Sequence, residues 1–117
     1  MKTRLKRLLD RNEDIILRIE ILQEIQRGTL YILKVKIVLI DNSTFYIREI
    51  WKEDKLIVYS YYWFDATGDL IEGWDNAPHH KEIDTFPHHK HTKKGIERLE
   101  NPDVRIFLMK IRKTILP

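Results

Sequence analysis

Residues 30–69, LYILKVKIVLIDNSTFYIREIWKEDKLIVYSYYWFDATGD, contain three apolar-rich runs separated by short polar breaks. In residues 30–40, Leu33, Val35, Ile37 and Leu39 fall on one side of an extended chain and Lys34 and Lys36 on the other, because strand side chains alternate with period two. Asp41-Asn42-Ser43 supplies turn chemistry, since Asp and Asn bond their own backbone and tolerate positive φ. Residues 44–51 return, with Phe45, Ile47 and Glu49 on one face and Tyr46, Arg48 and Ile50 on the other. Lys52-Glu53-Asp54-Lys55 turns the chain again into residues 56–64, and Asp65-Ala66-Thr67-Gly68-Asp69 closes a third hairpin before a strand at residues 70–74. Breaks this short join antiparallel neighbours. The aromatic run Tyr59, Tyr61, Tyr62, Trp63 and Phe64 reads as core and cross-strand pairs in preference to a base-stacking platform.

Upstream, residues 15–25 fit both periods, but Ile15, Leu17, Ile19 and Ile21 alternate against Arg18 and Glu20, and β-branched Ile favours a strand. Gln26-Arg27-Gly28 is the turn that follows. Leu5, Leu8 and Leu9 sit at helical spacing among basic residues, which predicts a short amphipathic helix over residues 2–11, broken at Asn12-Glu13-Asp14. Downstream, residues 92–95 are polar. Asn101 reads as an N-cap with Pro102 at the first helical position, and Ile106, Phe107, Met109, Lys110 and Ile111 continue a C-terminal helix that would cover one side of the sheet. The expectation is one α+β domain over residues 1–117: an antiparallel meander of about five strands, a short N-terminal helix and a C-terminal helix.

Composition narrows the function. No apolar run approaches the length that spans a bilayer, and no hydrophobic signal core precedes Asp10, so the cytoplasm is the expected compartment and no membrane partner is expected. With no cysteine, disulfides, thiolate catalysis and sulfur-ligated zinc are excluded. The net charge is +3, but basic residues cluster at Lys2, Arg4, Lys6, Arg7 and Arg11, at Lys90, Lys93, Lys94 and Arg98, and near the end. The terminal clusters read as solvated helix faces; the middle one adjoins a candidate site and can attract phosphate. Abundant Ile and Lys with sparse Asn and Gln is a bias seen in proteins from hot environments.

That candidate site is residues 74–91, where Trp74-Asp75-Asn76-Ala77-Pro78-His79-His80 is echoed by Thr85-Phe86-Pro87-His88-His89-Lys90-His91. All five histidines, His79, His80, His88, His89 and His91, fall within it. Pro78 and Pro87 fix φ ahead of each histidine pair, which predicts a shaped loop. Imidazole titrates near neutrality, so two positioned histidines can act as base and acid in cleaving RNA by its own 2′-hydroxyl. One histidine would come from each half, with Lys90 as the cation and Asp75 orienting a ring. Trp74, Asn76, Lys90, Lys93 and Lys94 are the candidate substrate contacts. Adjacent histidines on extended backbone point to opposite faces, so at most one of each pair faces a common pocket. The same residues suit a divalent transition metal: His89 and His91 lie on one side of extended backbone, and His79 or His80 with Asp75 would complete a nitrogen and oxygen site for zinc, manganese or nickel. No standard metal fingerprint is present. A structural role, with His, Asp and Asn bonding the loop backbone, is the third possibility.

These two ungapped blocks resemble the TumE family of toxin–antitoxin proteins, with strong similarity over residues 56–91, including Tyr59-Ser60-Tyr61 and the turn at residues 65–68. The resemblance implies a toxin-like component whose partner is a helix-turn-helix antitoxin of the TumA type. It also carries over Asp75, Asn76, His79, His80, His88, His89 and His91 as functional positions without assigned roles. Three functions stay open: an endoribonuclease using histidine acid/base chemistry, a non-enzymatic nucleic-acid or protein binding module, and a metal-dependent hydrolase or nuclease. RNA and a second copy of the chain, as a homodimer, are further candidate partners.

Overall fold

The three runs at residues 30–69 form the centre of a sheet in the computed structural model, which describes residues 1–117. The chain runs α1 (Thr3–Arg11), a 3-10 turn (Glu13–Ile15), β1 (Ile16–Arg27), β2 (Leu30–Leu39), β3 (Thr44–Lys52), β4 (Lys55–Phe64), β5 (Leu70–Asp75), β6 (His89–Thr92), β7 (Gly95–Arg98) and α2 (Val104–Ile115). Every strand pairs antiparallel with the next, so one sheet carries the order β1 to β7. The expected α+β meander is present, with seven strands instead of about five. The extra two are β6 and β7, formed from the end of the stretch that reads as histidine loop and from the residues that follow it. The short sequences His89-Lys90-His91-Thr92 and Gly95-Ile96-Glu97-Arg98 carry no alternating apolar signal; β6 is a strand because it pairs with β5, matching Glu72 to Thr92 and Asp75 to His89.

Turn chemistry fixes the hairpins where the sequence places it. Asn42 adopts φ 67° between β2 and β3, and Gly28 adopts φ 61° between β1 and β2, both in the left-handed region that Asn and Gly tolerate. Asp41 steadies the first of these by accepting from the Ser43 amide at 3.0 Å.

Both helices lie on one face. Leu33, Val35, Ile37, Leu39, Phe45, Ile47, Tyr59, Tyr61, Trp63 and Trp74 from the sheet are buried against Leu5 and Leu9 of α1 and Phe107, Leu108 and Ile111 of α2. Phe107 is the central wedge, 4.9 Å from the Phe45 ring and 4.5 Å from Trp74. Fully burying such a side chain stabilises by roughly 1.5–3 kcal/mol. The start of α2 differs from expectation: Asp103, not Asn101, is the N-cap, its side chain accepting from the Arg105 amide. The cap lies two residues later because only there does a carboxylate reach the free amides of the first turn. The opposite face carries no helix. No helix is long and apolar enough to cross a membrane.

Candidate functional site

Strand pairing assembles the site on that uncovered face. Residues directly opposite in an antiparallel pair share a face, and β5 sets Asp75 beside His89 and Gly73 beside His91. His89 and His91 therefore point the same way as Asp75, and Lys90, between them, points to the helix-covered side opposite Trp74. On the other flank, β4 places Tyr62 opposite Gly73. Gly73 matters here for its missing side chain: a Cβ would lie 2.4 Å from the Tyr62 ring. With hydrogen in its place, the ring lies across the backbone and its hydroxyl donates to Asp75 Oδ2 at 2.5 Å.

Asp75 is the hub. Its Oδ1 accepts from the Ala77 amide at 3.0 Å, and the same oxygen lies 3.0 Å from His89 Nε2. Its Oδ2 lies 3.3 Å from His91 Nε2, and the two Nε2 atoms are 3.1 Å apart. The loop at residues 76–88 then folds over the end of the sheet and sets the His80 ring edge-on to His89 and His91, with centroids 4.8 and 5.9 Å away. Ligand atoms of His80, His89 and His91 all lie within 4.8 Å of one another. The loop buries His89 to 2% exposure, whereas the side chains of His80 and His91 keep 25% and 28%.

The tautomer of His89 follows from its neighbours. Its Nδ1 lies 3.0 Å from the Pro87 carbonyl, which only accepts, so that nitrogen carries hydrogen. In a neutral ring the Nε2 lone pair would face the Asp75 carboxylate. The same lone pair lies 3.1 Å from His91 Nε2, so it is placed to accept from a neutral His91 or to bind a cation. For His91, burial is the largest influence and pushes the imidazole below its ordinary range, with Asp75 opposing and His89 and His80 adding to the depression. Burial likewise raises the Tyr62 hydroxyl, reinforced by Asp75. Tyr62 stays protonated and serves as a donor.

The remaining sequence candidates lie elsewhere. His79 is exposed on the loop. His88 points away from the cluster and bonds through Nδ1 to the Tyr59 hydroxyl at 2.8 Å, its ring stacked on Tyr59. Burial and the neighbouring His89 both lower its pKa. Trp74 is core, buried against Phe107. Asn76 ties the loop to β4, accepting from the Tyr59 amide and donating to the Ile57 carbonyl. Lys93 and Lys94 form the β6–β7 turn. Of the four metal candidates, Asp75, His89 and His91 converge, and His80 stands where His79 was an equal alternative. Tyr62 and Gly73 are participants that sequence patterning missed. Gly73 interrupts an otherwise large-residue strand, a signal of close approach, but its partner is identifiable only from the register.

Fold and site define a small antiparallel α+β protein, helix-covered on one side and bearing a histidine–carboxylate centre on the other. The chain belongs to the TumE toxin family: the family model described as Toxin TumE matches residues 5–115. It is thus a toxin-like component of a toxin–antitoxin system, and the family implies a cognate antitoxin. No curated protein and no solved structure matches the chain.

Proposed function

We propose that this toxin acts on RNA, cleaving it at the centre formed by His80, His89, His91 and Asp75. The supporting observation is the convergence of three imidazoles and one carboxylate, two of the imidazoles solvent-accessible, on the sheet face that no helix covers. In the acid/base form of this reaction, neutral His91 takes the proton from a ribose 2′-hydroxyl. The oxygen attacks the adjacent phosphorus and the bond to the 5′-oxygen breaks. That oxygen leaves with a proton from the His80 imidazolium, giving a 2′,3′-cyclic phosphate and a 5′-hydroxyl end. Buried His89, held by Asp75, lies against His91 and orients it, and Lys90 lies on the wrong side of the sheet to supply a cation.

A second chemistry is favoured by the same convergence. His80, His89 and His91 would hold a divalent transition metal, with Asp75 as a fourth ligand. The cognate antitoxin, of helix-turn-helix type in this proposal, restrains the activity.

One experiment separates these. A labelled RNA is incubated with wild type, His91→Ala and His80→Ala, with and without chelator, and metal content is measured in parallel. Cleavage by wild type alone that survives chelation supports the acid/base route; cleavage lost with the metal supports the metal route. Equal traces from all three proteins would remove the nuclease proposal, and tight binding without turnover would replace it with a binding module.

A further inference from the structure

The uncovered face extends well beyond the histidines, and its residues are arranged in rows that cross the strands. One row runs Lys34, Arg48, Ser60, Asp75, His89 through the pairings of β2 to β6. The adjacent row runs Lys36, Tyr46, Tyr62, Gly73, His91 through the same strands. At roughly 4.8 Å per strand, four steps place Lys36 about 19 Å from His91. The rings along the way touch in sequence: Tyr46 meets Phe64 edge-on at 5.8 Å, Phe64 stacks beside Tyr62 at 6.4 Å, and Tyr62 lies 5.9 Å from His91.

On β2 to β4 the charged residues of this face, Lys34, Lys36 and Arg48, are all basic. They make no ion pair, so their charges are free for an anionic ligand. The acidic residue across from Lys36, Glu20, is engaged by Arg18 at 2.7 Å. Cations left unpaired beside half-exposed rings, on a sheet face no helix covers, match the chemistry of a single-stranded nucleic acid: phosphates for the cations and unpaired bases for the rings. A duplex keeps its bases stacked inside and offers the rings nothing.

We propose that this face is the substrate track: single-stranded RNA lies across β2 to β6, its phosphates on Lys34, Lys36 and Arg48 and its bases on Tyr46 and Phe64, and Tyr62 leads the strand into the histidine centre. The track rests on the preceding reading for RNA as substrate and adds how the strand is held.

The test measures fluorescence anisotropy of a labelled single-stranded RNA with 2′-O-methyl riboses, which cannot be cleaved through the 2′-hydroxyl. It is titrated with wild type, Arg48→Glu, Lys34→Glu, Tyr46→Leu and Tyr46→Phe at several salt concentrations. Losing a stacking ring is expected to weaken binding by about 5- to 150-fold in Tyr46→Leu, with Tyr46→Phe retaining wild-type affinity because the ring is kept. Each charge reversal is expected to weaken binding and to lower the salt slope by about 0.7 for each phosphate that is no longer neutralised. Equal affinity across the set while wild type still cleaves natural RNA overturns the track and leaves the nuclease reading standing. Track-dependent binding by a wild type that never cleaves does the reverse. Equal binding of a duplex of the same sequence, or no RNA binding by wild type, also overturns the track. Arg48 and Lys34 are exposed, so their substitution leaves the core intact and the comparison remains readable.

Discussion

Strands β2 to β5 each supply side chains to two faces that differ in kind. On the helix side, Val35, Ile37, Phe45, Ile47, Tyr61 and Trp63 are buried, and the buried Glu49 accepts hydrogen bonds from Tyr61 at 2.5 Å and Trp51 at 3.1 Å. On the open side, the neighbouring positions Lys34, Lys36, Tyr46, Arg48 and Tyr62 stay partly in water and lead to Asp75, His89 and His91. The aromatic run at residues 59–64 is divided the same way. Tyr59, Tyr61 and Trp63 are core, and Tyr62 and Phe64 stand on the open face. One face holds most of the apolar core, and the other is left to carry charge and titratable groups.

The sharpest way to break this division is at its active end. His91→Ala is expected to lower RNA cleavage by about 10²- to 10⁴-fold, the usual contribution of a positioned acid or base, while the melting temperature stays within a few degrees of wild type. A variant that unfolds would show that the open face is structural after all. The converse change, Phe107→Ala, removes the wedge between Phe45 and Trp74 and is expected to cost about 3–5 kcal/mol in chemical denaturation. A loss below about 1 kcal/mol would deny the helix-covered face its role.

Gly73→Ala tests the seam between the faces. The new methyl must displace the Tyr62 ring, an overpacking expected to cost about 1–3 kcal/mol. The hydroxyl should leave Asp75, so cleavage should fall along with stability. Tyr62→Phe separates the two effects, since it removes the hydrogen bond and keeps the ring. If Tyr62→Phe matches wild type in cleavage, Tyr62 does not act through Asp75.

How much of this was legible in the sequence depended on which physical signal each part carries. The hairpins at residues 30–69 were readable because period-two alternation and Asn, Asp and Gly turn chemistry agree there. Strands β6 and β7 were not, since polar strands owe their existence to a partner and not to their own pattern. The helix cap moved from Asn101 to Asp103 because two acceptable capping residues lie close together and backbone direction decides between them. In the site, clustering points to Asp75 and to all five histidines alike, and does not tell His80, His89 and His91, which converge, from His79 and His88, which do not; the alternation His89-Lys90-His91 already holds the fact that Lys90, read as the cation, must face away. The choice of His80 over His79 rests on how the loop folds back over the sheet, which no local pattern encodes.

The smallest expected effect concerns pH, and it again distinguishes the faces, because His88 lies toward the core and His91 toward solvent. Both imidazoles are held below their ordinary value of 6.5, in each case chiefly by burial. Between their folded values and 6.5 the unfolded chain binds more protons than the folded one, so acidification favours unfolding. Stability should therefore hold above about pH 6.5, decline as pH falls below it, and stop declining from this source once the folded-state values are passed. Thermal melts from pH 8 to pH 5 in chelator check this in wild type, His88→Gln and His91→Gln, with each substitution expected to flatten part of the decline. His88→Gln should also lower the whole curve, because it breaks the bond to the Tyr59 hydroxyl at the edge of the core. His91→Gln should change the slope with little change in height. A wild type that melts higher at pH 5.5 than at pH 7.5 would reverse the sign and remove both histidines as neutral residents of the fold.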